Sequence, residues 1–271
     1  MSGWNAMTYD GKDNLLRVVR EQADAMLAMA SPPQAWEAPT ACAGWTVRDV
    51  IGHLVDTTEA YFVSFDAARG RAEAGQALGL RAMAQRVNQR ATAFRTTDQQ
   101  EMLERLRADL AKMLEIFDAL GPDEWGGLQV PHVYMGPLPA FFYPAFQLMD
   151  YGVHGWDIRQ GTGRAHGLDG DVADLLVPFM FVLWQATADV APGTAPFELG
   201  VRVAGRNGGD HRVRIGPEGI AFTQGALDDL PTVIEFDPGS FVLTAFGRSN
   251  SGTIRGDTGL ADRYLNLFFR I

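Results

Sequence analysis

The spacing of apolar residues changes near residue 190, and this change divides the chain into two kinds of structure. Before it, apolar residues recur every three to four positions over long stretches, which is typical of amphipathic helices. After it, short and partly alternating runs are separated by Gly, Asn, Asp and Pro, which is typical of strands and turns. The segment Ala191-Pro-Gly-Thr-Ala-Pro196 marks the transition. We therefore predict a helical domain over residues 1–190 and a small α+β domain over residues 191–271.

The helical part contains one start signal that is specific. Thr46-Val-Arg-Asp49 resembles a capping box, in which a hydroxyl and a carboxylate satisfy the first backbone amides of a helix. Residues 121–140 contain four Gly and four Pro, so we predict a long loop there. Apolar spacing predicts helices over 15–27, from Thr46 onward, over 97–120, 144–160 and 169–189, with a weaker one over 81–95. The second domain is predicted to hold strands over 197–203, 211–215, 220–223 and 232–236, and helices over 238–245 and 258–269.

Composition excludes several classes of protein. The chain carries 23 basic and 33 acidic residues, a formal charge of −10, so neither a nucleic acid nor a phospholipid surface is an expected partner. Its longest apolar run, from Leu175 to Trp184, is about half the length of a membrane-spanning helix. Cys42 is the single cysteine, which rules out a disulfide framework and any multi-cysteine zinc site. These features, with no secretory signal in the sequence, predict a cytoplasmic protein.

Histidines and carboxylates at helical spacing are the candidate site. Asp150 and His154 are four residues apart, so both project from one face of a predicted helix. His53 lies in the middle of another predicted helix, and side chains of this kind can converge on one ion in the core of a bundle. Two imidazoles and a carboxylate are a common ligand set that leaves a coordination position open. Asp56 and Asp157 are then expected to accept hydrogen bonds from the imidazole N–H groups that do not face the metal, which fixes the tautomer of each ring.

Spacing alone leaves the ordinary interpretation open. A histidine in a helix is often simply packed or solvated, and an Asp–His pair four residues apart arises by chance. The spacing also does not show that His53 meets the other two residues.

Two motifs resemble a known family. The run Cys42-Ala-Gly-Trp-Thr-Val-Arg-Asp-Val-Ile-Gly-His53-Leu is similar to the signature of the mycothiol-dependent maleylpyruvate isomerase-like family, within the DinB-like four-helix superfamily. Asp150-Tyr-Gly-Val-His154 resembles the family's second motif, a carboxylate followed four residues later by histidine. Phe246-Gly-Arg248 and Gly256-Asp257 resemble part of its second domain, a sterol-carrier-like module.

The resemblance implies an α+β protein of two domains, a DinB-like four-helix bundle with extra helices followed by a sterol-carrier-like α+β domain. It implies a single Zn²⁺, or another divalent metal, held by His53, Asp150 and His154. It also implies mycothiol as co-substrate, used for isomerisation or S-transfer on a small electrophile. The family carboxylate is commonly Glu, and Asp150 is one methylene shorter, so its helix is expected to sit closer.

Several other residues are candidates for a role in the site or in packing. Arg248 is a candidate catalytic residue that clamps a carboxylate of thiol or substrate, or else it forms an ordinary salt bridge. Cys42 is expected to be buried as a small apolar residue, and Trp45 to pack at the start of the second helix. His132, His166 and His211 lie in predicted loops or turn-rich regions and are expected to be exposed. Of these, His132 is the one placed to reach the mouth of the site.

Three other functions remain open from the sequence. In a zinc hydrolase the metal would activate water instead of a thiol. A non-catalytic protein would bind a metal or an apolar ligand, and a non-heme iron enzyme would use the same two histidines and carboxylate. The expected partners are a small-molecule substrate and a low-molecular-weight thiol, and the expected state is a monomer or a weak homodimer.

Overall fold

The chain forms two compact units in the computed structural model, which describes residues 2–164 and 166–270. One unit spans Ser2–Gly167 and the other begins at Leu168. The division falls before the predicted boundary at 190/191, because the helix over residues 170–187 packs against elements of the sheet unit. The predicted domain ends at residues 1 and 271 lie outside the described residues.

The first unit is built mainly from helices, as predicted. Four of them, the first, second, fourth and sixth, pack side by side as a four-helix bundle. The fourth and sixth follow their predicted ranges closely, and the second begins where predicted. The first begins and ends about one turn beyond its predicted limits. The helices are α1 (Lys12–Ala30), α2 (Val47–Ala68), α3 (Leu80–Ala91), α4 (Gln99–Ala119), α5 (Pro122–Gly127) and α6 (Phe142–Gly161). Short 3-10 helices lie at Ser2–Trp4, Tyr9–Gly11, Pro33–Ala35 and Thr92–Phe94.

The start of α2 confirms the predicted capping box. Asp49 Oδ2 accepts the backbone N–H of Thr46 at 2.9 Å. Arg95 clamps the same carboxylate, with Nε 2.7 Å from Oδ1 and Nη2 2.9 Å from Oδ2. Asp49 is fully buried, so this pairing satisfies a charge that would otherwise be unpaired in the interior. The contact fixes the N-terminus of α2 against the segment that precedes α4.

Helix α6 is the most buried of the four bundle helices. It packs on α1 and also contacts α2, and most of its residues are buried on every side. A helix surrounded in this way can hold polar side chains only if they have partners or a ligand. The polar residues of α6 are therefore the first place to look for a site.

The predicted loop over 121–140 is in fact ordered as α5 and a hairpin. Strands β1 (Gln129–His132) and β2 (Gly136–Pro139) pair antiparallel, and β1 packs against α2. The prediction was wrong because proline is compatible with a two-stranded ribbon, in which each strand has an unpaired edge. Val130 is fully buried and anchors the hairpin to the bundle.

The second unit is a sheet covered by helices. Its strand order is β5-β4-β3-β6-β7, with β3 and β6 parallel and the other pairs antiparallel. The four predicted strands are confirmed, and β7 was missed because it has only four residues. The elements are α7 (Gly170–Thr187), β3 (Phe197–Val203), β4 (Gly209–Gly216), β5 (Gly219–Gln224), β6 (Thr232–Phe236), α8 (Pro238–Ala245), β7 (Thr253–Gly256) and α9 (Thr258–Leu265).

The α+β class predicted for this unit is confirmed, and its likeness to a sterol-carrier module stays a prediction. Trp184, Phe241 and Tyr264 pack together in its core. In the part of the chain that the structure describes, every helix is too short or too polar to cross a bilayer.

Candidate metal centre

Helices α2 and α6 bring the three predicted ligands together. His53 Nε2 lies 3.5 Å from Asp150 Oδ1, and the rings of His53 and His154 are 5.1 Å apart between centroids. One donor atom from each of the three residues lies within 4.8 Å of the other two. The side chains of His53, Asp150 and His154 are 15%, 16% and 11% exposed. The meeting of two distant segments, which spacing could not show, is thus present in the fold.

The spacing of these donors suits a divalent ion. Zinc bonds of about 2.0–2.2 Å place neighbouring donors of a tetrahedral site roughly 3.4 Å apart, close to the 3.5 Å between His53 and Asp150. Asp150 Oδ2 is buried and has no hydrogen-bond partner among the described residues. A buried carboxylate oxygen without a partner is costly unless a cation or a donor satisfies it. The short side chain of Asp150 therefore reaches the cluster, and the residues present fit a metal ion.

Asp157 orients His154 in the way predicted for it. The carboxylate is fully buried, and its Oδ2 lies 2.9 Å from His154 Nδ1. With Nδ1–H donating to Asp157, the lone pair of His154 is on Nε2 and available to an ion. Burial, which outweighs the opposing effect of Asp157, lowers the pKa of His154. The ring is therefore neutral at pH 7, as a metal ligand must be.

Asp56 does not play the matching role for His53. It forms a bidentate ion pair with Arg90 of α3, with both N–O distances 2.6 Å. His53 Nδ1 instead lies 3.5 Å from the Thr57 hydroxyl, one turn further along α2. The prediction was wrong because an arginine from another helix satisfies Asp56.

Cys42 is not simply a small apolar residue, contrary to the prediction. Its thiol donates to Asp157 Oδ2 at 3.1 Å and lies 3.7 Å from His154 Nδ1. The same chain segment is held against the end of α6, where Ala41 N–H donates to Asp157 O at 2.9 Å. Gly161 allows this approach, since a Cβ at that position would clash with the carbonyl of Pro39. The signal was present in the sequence, because Cys42 belongs to the same motif as His53.

The ring of Trp45 borders the candidate ligands. Trp45 lies 5.5 Å from the ring of His53 and 5.9 Å from that of His154, and its Nε1–H donates to Asn88 at 2.9 Å. This tryptophan packs at the start of α2, as predicted, and also covers the two imidazoles.

His132 is buried rather than exposed, because the hairpin folds its ring against the bundle. It is 9% exposed and contacts Tyr61, Tyr143 and Phe146, with ring centroids 6.2, 6.1 and 5.4 Å away. We call these three rings the aromatic wall. Burial lowers the pKa of His132 to about 4.

Replacing His132 by phenylalanine is expected to flatten the pH dependence of stability in the acid range. The folded pKa of about 4 is below the unfolded value of 6.5. Protons therefore bind the unfolded chain first as the pH falls, so the parent loses stability from about pH 6.5 down to about pH 4. Denaturant unfolding at pH 7.5 and 4.5 should show the parent losing about 2 kcal/mol more than His132→Phe. Equal losses in the two proteins would contradict a buried neutral His132.

Arg248, His211 and His166 are not among the donors of this cluster. Arg248 follows α8 in the second unit, is half-buried, and donates from Nη1 to Phe246 O at 3.2 Å. His211 is half-buried against Phe181, with ring centroids 4.1 Å apart, so its predicted exposure was wrong. His166 is also half-buried, with its ring centroid 5.8 Å from that of Trp156, so its predicted exposure was wrong too; it accepts from Arg159 Nε at 3.2 Å.

Fold and site together define a class of protein, a four-helix bundle whose core brings together side chains able to hold a metal ion. The sequence profile described as the mycothiol maleylpyruvate isomerase N-terminal domain matches residues 16–159, which is more than half of the 271 residues. The chain belongs to this family.

Solved structures support the same fold. The chain is similar to the crystal structure of the mycothiol-dependent maleylpyruvate isomerase, with 14% sequence identity and a TM-score of 0.58. The match covers 92% of this chain and 93% of that one. A mutant of that enzyme matches with the same values. No curated protein sequence matches this chain.

Proposed function

We propose that this protein is a zinc-dependent enzyme that uses mycothiol to isomerise, or transfer sulfur to, a small electrophile. The observation that carries the proposal is the convergence of His53, Asp150 and His154 in a member of this family. The three residues offer three donors and leave room for a fourth, which is the pattern of a catalytic rather than a structural site.

The bound metal would supply a positive charge that stabilises the thiolate form of the thiol, the form that acts as nucleophile. The residues of this chain do the rest. Asp157 holds His154 in the tautomer that presents Nε2, and Trp45 covers the ligand rings. The low exposure of the cluster limits water, which strengthens the electrostatic interactions within it.

Two reactions are compatible with such a nucleophile. In isomerisation, the thiolate sulfur adds to a double bond conjugated with a carbonyl, the resulting single bond rotates, and the thiolate leaves again. In transfer, the sulfur displaces a leaving group and stays on the product. Both reactions need the electrophile to be held still beside the sulfur.

Further parts of the proposal concern the rest of the chain. We propose Arg248 as the residue that binds a carboxylate of thiol or substrate, since a guanidinium can hold it with two hydrogen bonds. We also propose that residues 191–271 act as a sterol-carrier-like module. A free thiol co-substrate requires a reducing compartment, so the cytoplasm is the proposed location.

Metal analysis and calorimetry test the proposal. We expect one zinc per chain, mycothiol binding to the zinc form with release of a proton, and weaker binding of glutathione. The proton release is measured by titrating in two buffers of different ionisation enthalpy, and chelator-treated protein is the control. Zinc without thiol binding would replace this function by a hydrolase, and a chain that takes up no divalent metal would overturn it.

A further inference from the structure

His132 is a buried side chain with one ring nitrogen engaged and the other available. Nδ1 accepts the backbone N–H groups of Tyr134 at 3.3 Å and of Met135 at 3.2 Å. In the neutral ring the proton is therefore on Nε2, which makes Nε2–H a hydrogen-bond donor. Within residues 2–164 and 166–270, Nε2 has no hydrogen-bond partner, and this nitrogen is not itself fully buried, although the residue as a whole is only 9% exposed. An accessible donor on an otherwise buried ring can bind an acceptor atom of a ligand that displaces water from it.

The ring lies along the same pair of helices that carries the metal ligands. Phe146, which contacts His132, precedes Asp150 by one turn of α6, or about 6 Å of rise. Tyr61, which also contacts it, follows His53 by about two turns of α2, or about 12 Å. His132 is near enough to Asp150 for that carboxylate to oppose the lowering of its pKa. The residues that contact His132 are thus about 6–12 Å along the helices from the proposed metal ligands, and this separation suits a substrate of several non-hydrogen atoms.

The surroundings of His132 favour a neutral acceptor. The aromatic wall of Tyr61, Tyr143 and Phe146 provides little solvation for a full charge. A neutral imidazole can stabilise an oxygen that gains charge only during the reaction, and it keeps its own proton throughout.

We propose that His132 is a catalytic residue whose Nε2–H donates a hydrogen bond to the carbonyl oxygen of the electrophile. This role rests on the proposed thiol-dependent function. When the thiolate sulfur bonds to the β-carbon, the π-electron pair of the C=C bond shifts and the carbonyl oxygen becomes an enolate oxygen. The hydrogen bond strengthens at that point. When the C–S bond breaks, the pair returns, and no proton, oxidant or reductant is consumed.

Two electrophiles separate this role from a structural one. With mycothiol and the zinc protein, 3-penten-2-one places the developing charge on a carbonyl oxygen. 1-Chloro-2,4-dinitrobenzene instead loses chloride and places the charge on nitro groups. His132→Phe should lower kcat/KM for the enone on the order of 100-fold, the usual effect of losing one such donor. The aromatic chloride should change no more than threefold or so, since it makes no use of this donor.

Two further variants complete the comparison. His132→Gln keeps an N–H donor and should recover part of the enone activity. His166→Phe makes the same substitution outside the aromatic wall and should leave both rates near those of the parent. Equal losses of both reactions in His132→Phe, or no loss of either, would overturn the proposal while the proposed function stood.

A second measurement, by NMR, does not depend on catalytic activity. In protein with ¹⁵N-labelled histidine, His132 should show the tautomer protonated at Nε2 at pH 7, and its Hε2 signal should move when 3-penten-2-one is added without thiol. If the parent turned over neither electrophile but this signal moved, the proposed function would fail and the carbonyl-binding role would stand. An Hε2 signal that does not respond, or the opposite tautomer, would overturn the role of His132.

Discussion

Replacing His53 by alanine is expected to leave the protein folded but unable to hold the proposed metal ion. The two ligands that remain, Asp150 and His154, lie one turn apart on a single helix, and His53 contributes the donor from the facing helix. Removal of a partner that only orients a ligand commonly costs 10- to 100-fold in metal affinity, so loss of a ligand itself should cost more than about 100-fold. Zinc per chain should fall from one to near zero, and thiol-dependent turnover should be lost with it.

The matched control is His166→Ala, which removes a histidine of the same unit that pairs with Arg159. It should retain zinc and activity. Circular dichroism of both variants should match that of the parent, which separates metal loss from unfolding. Full zinc content in a folded His53→Ala protein would contradict the proposal that His53 is a metal ligand.

Replacing Asp49 by alanine is expected to cost more stability than removing the cap of an exposed helix end. Burial alone would raise the pKa of Asp49, but hydrogen bonds from Arg95 and Thr46 outweigh it and lower that pKa. The carboxylate is thus ionised at pH 7, and its stabilising effect is lost only as the pH falls below about 4. The variant loses the cap of α2 and the buried half of an ion pair, so the free energy of unfolding should fall by about 2–4 kcal/mol.

Asp98→Ala provides the comparison for this prediction. Asp98 caps α4 by accepting from Gln100 N–H and Glu101 N–H, but it is exposed. Its removal should cost about 1 kcal/mol. Denaturant unfolding of both variants at pH 7 measures the difference, and similar losses would show that the pair between Asp49 and Arg95 contributes little.

Features of the fold that depend on local sequence were predictable. The capping box at Thr46, the helices of the bundle and four of the five strands of the sheet follow from spacing and caps, which neighbouring residues determine. The hairpin of β1 and β2 was not predictable in the same way. Its Gly and Pro residues are typical of loops, and only packing against α2 makes them a ribbon.

The contacts of the candidate site also differ in whether helical spacing or tertiary packing determines them. Asp150 and His154 share a helix face because of helical geometry alone, so their pairing was visible in the sequence. Asp157 was assigned correctly for the same reason, since it is three residues from His154. Asp56 has the same spacing from His53, yet it pairs with Arg90 from another helix. The thiol of Cys42 likewise reaches Asp157 from a residue 115 positions earlier in the chain.

The sequence by itself determined the helices of the bundle, the cap at Thr46 and the one-turn spacing of Asp150, His154 and Asp157, because these depend on the short-range geometry of the backbone. Only the tertiary structure decided that His53 meets that group, that Cys42 joins it, and that the ring of His132 is buried with a single free donor. Those outcomes depend on which helix faces pack together. Packing is set by the burial of apolar surface across the whole unit, and no local pattern records it.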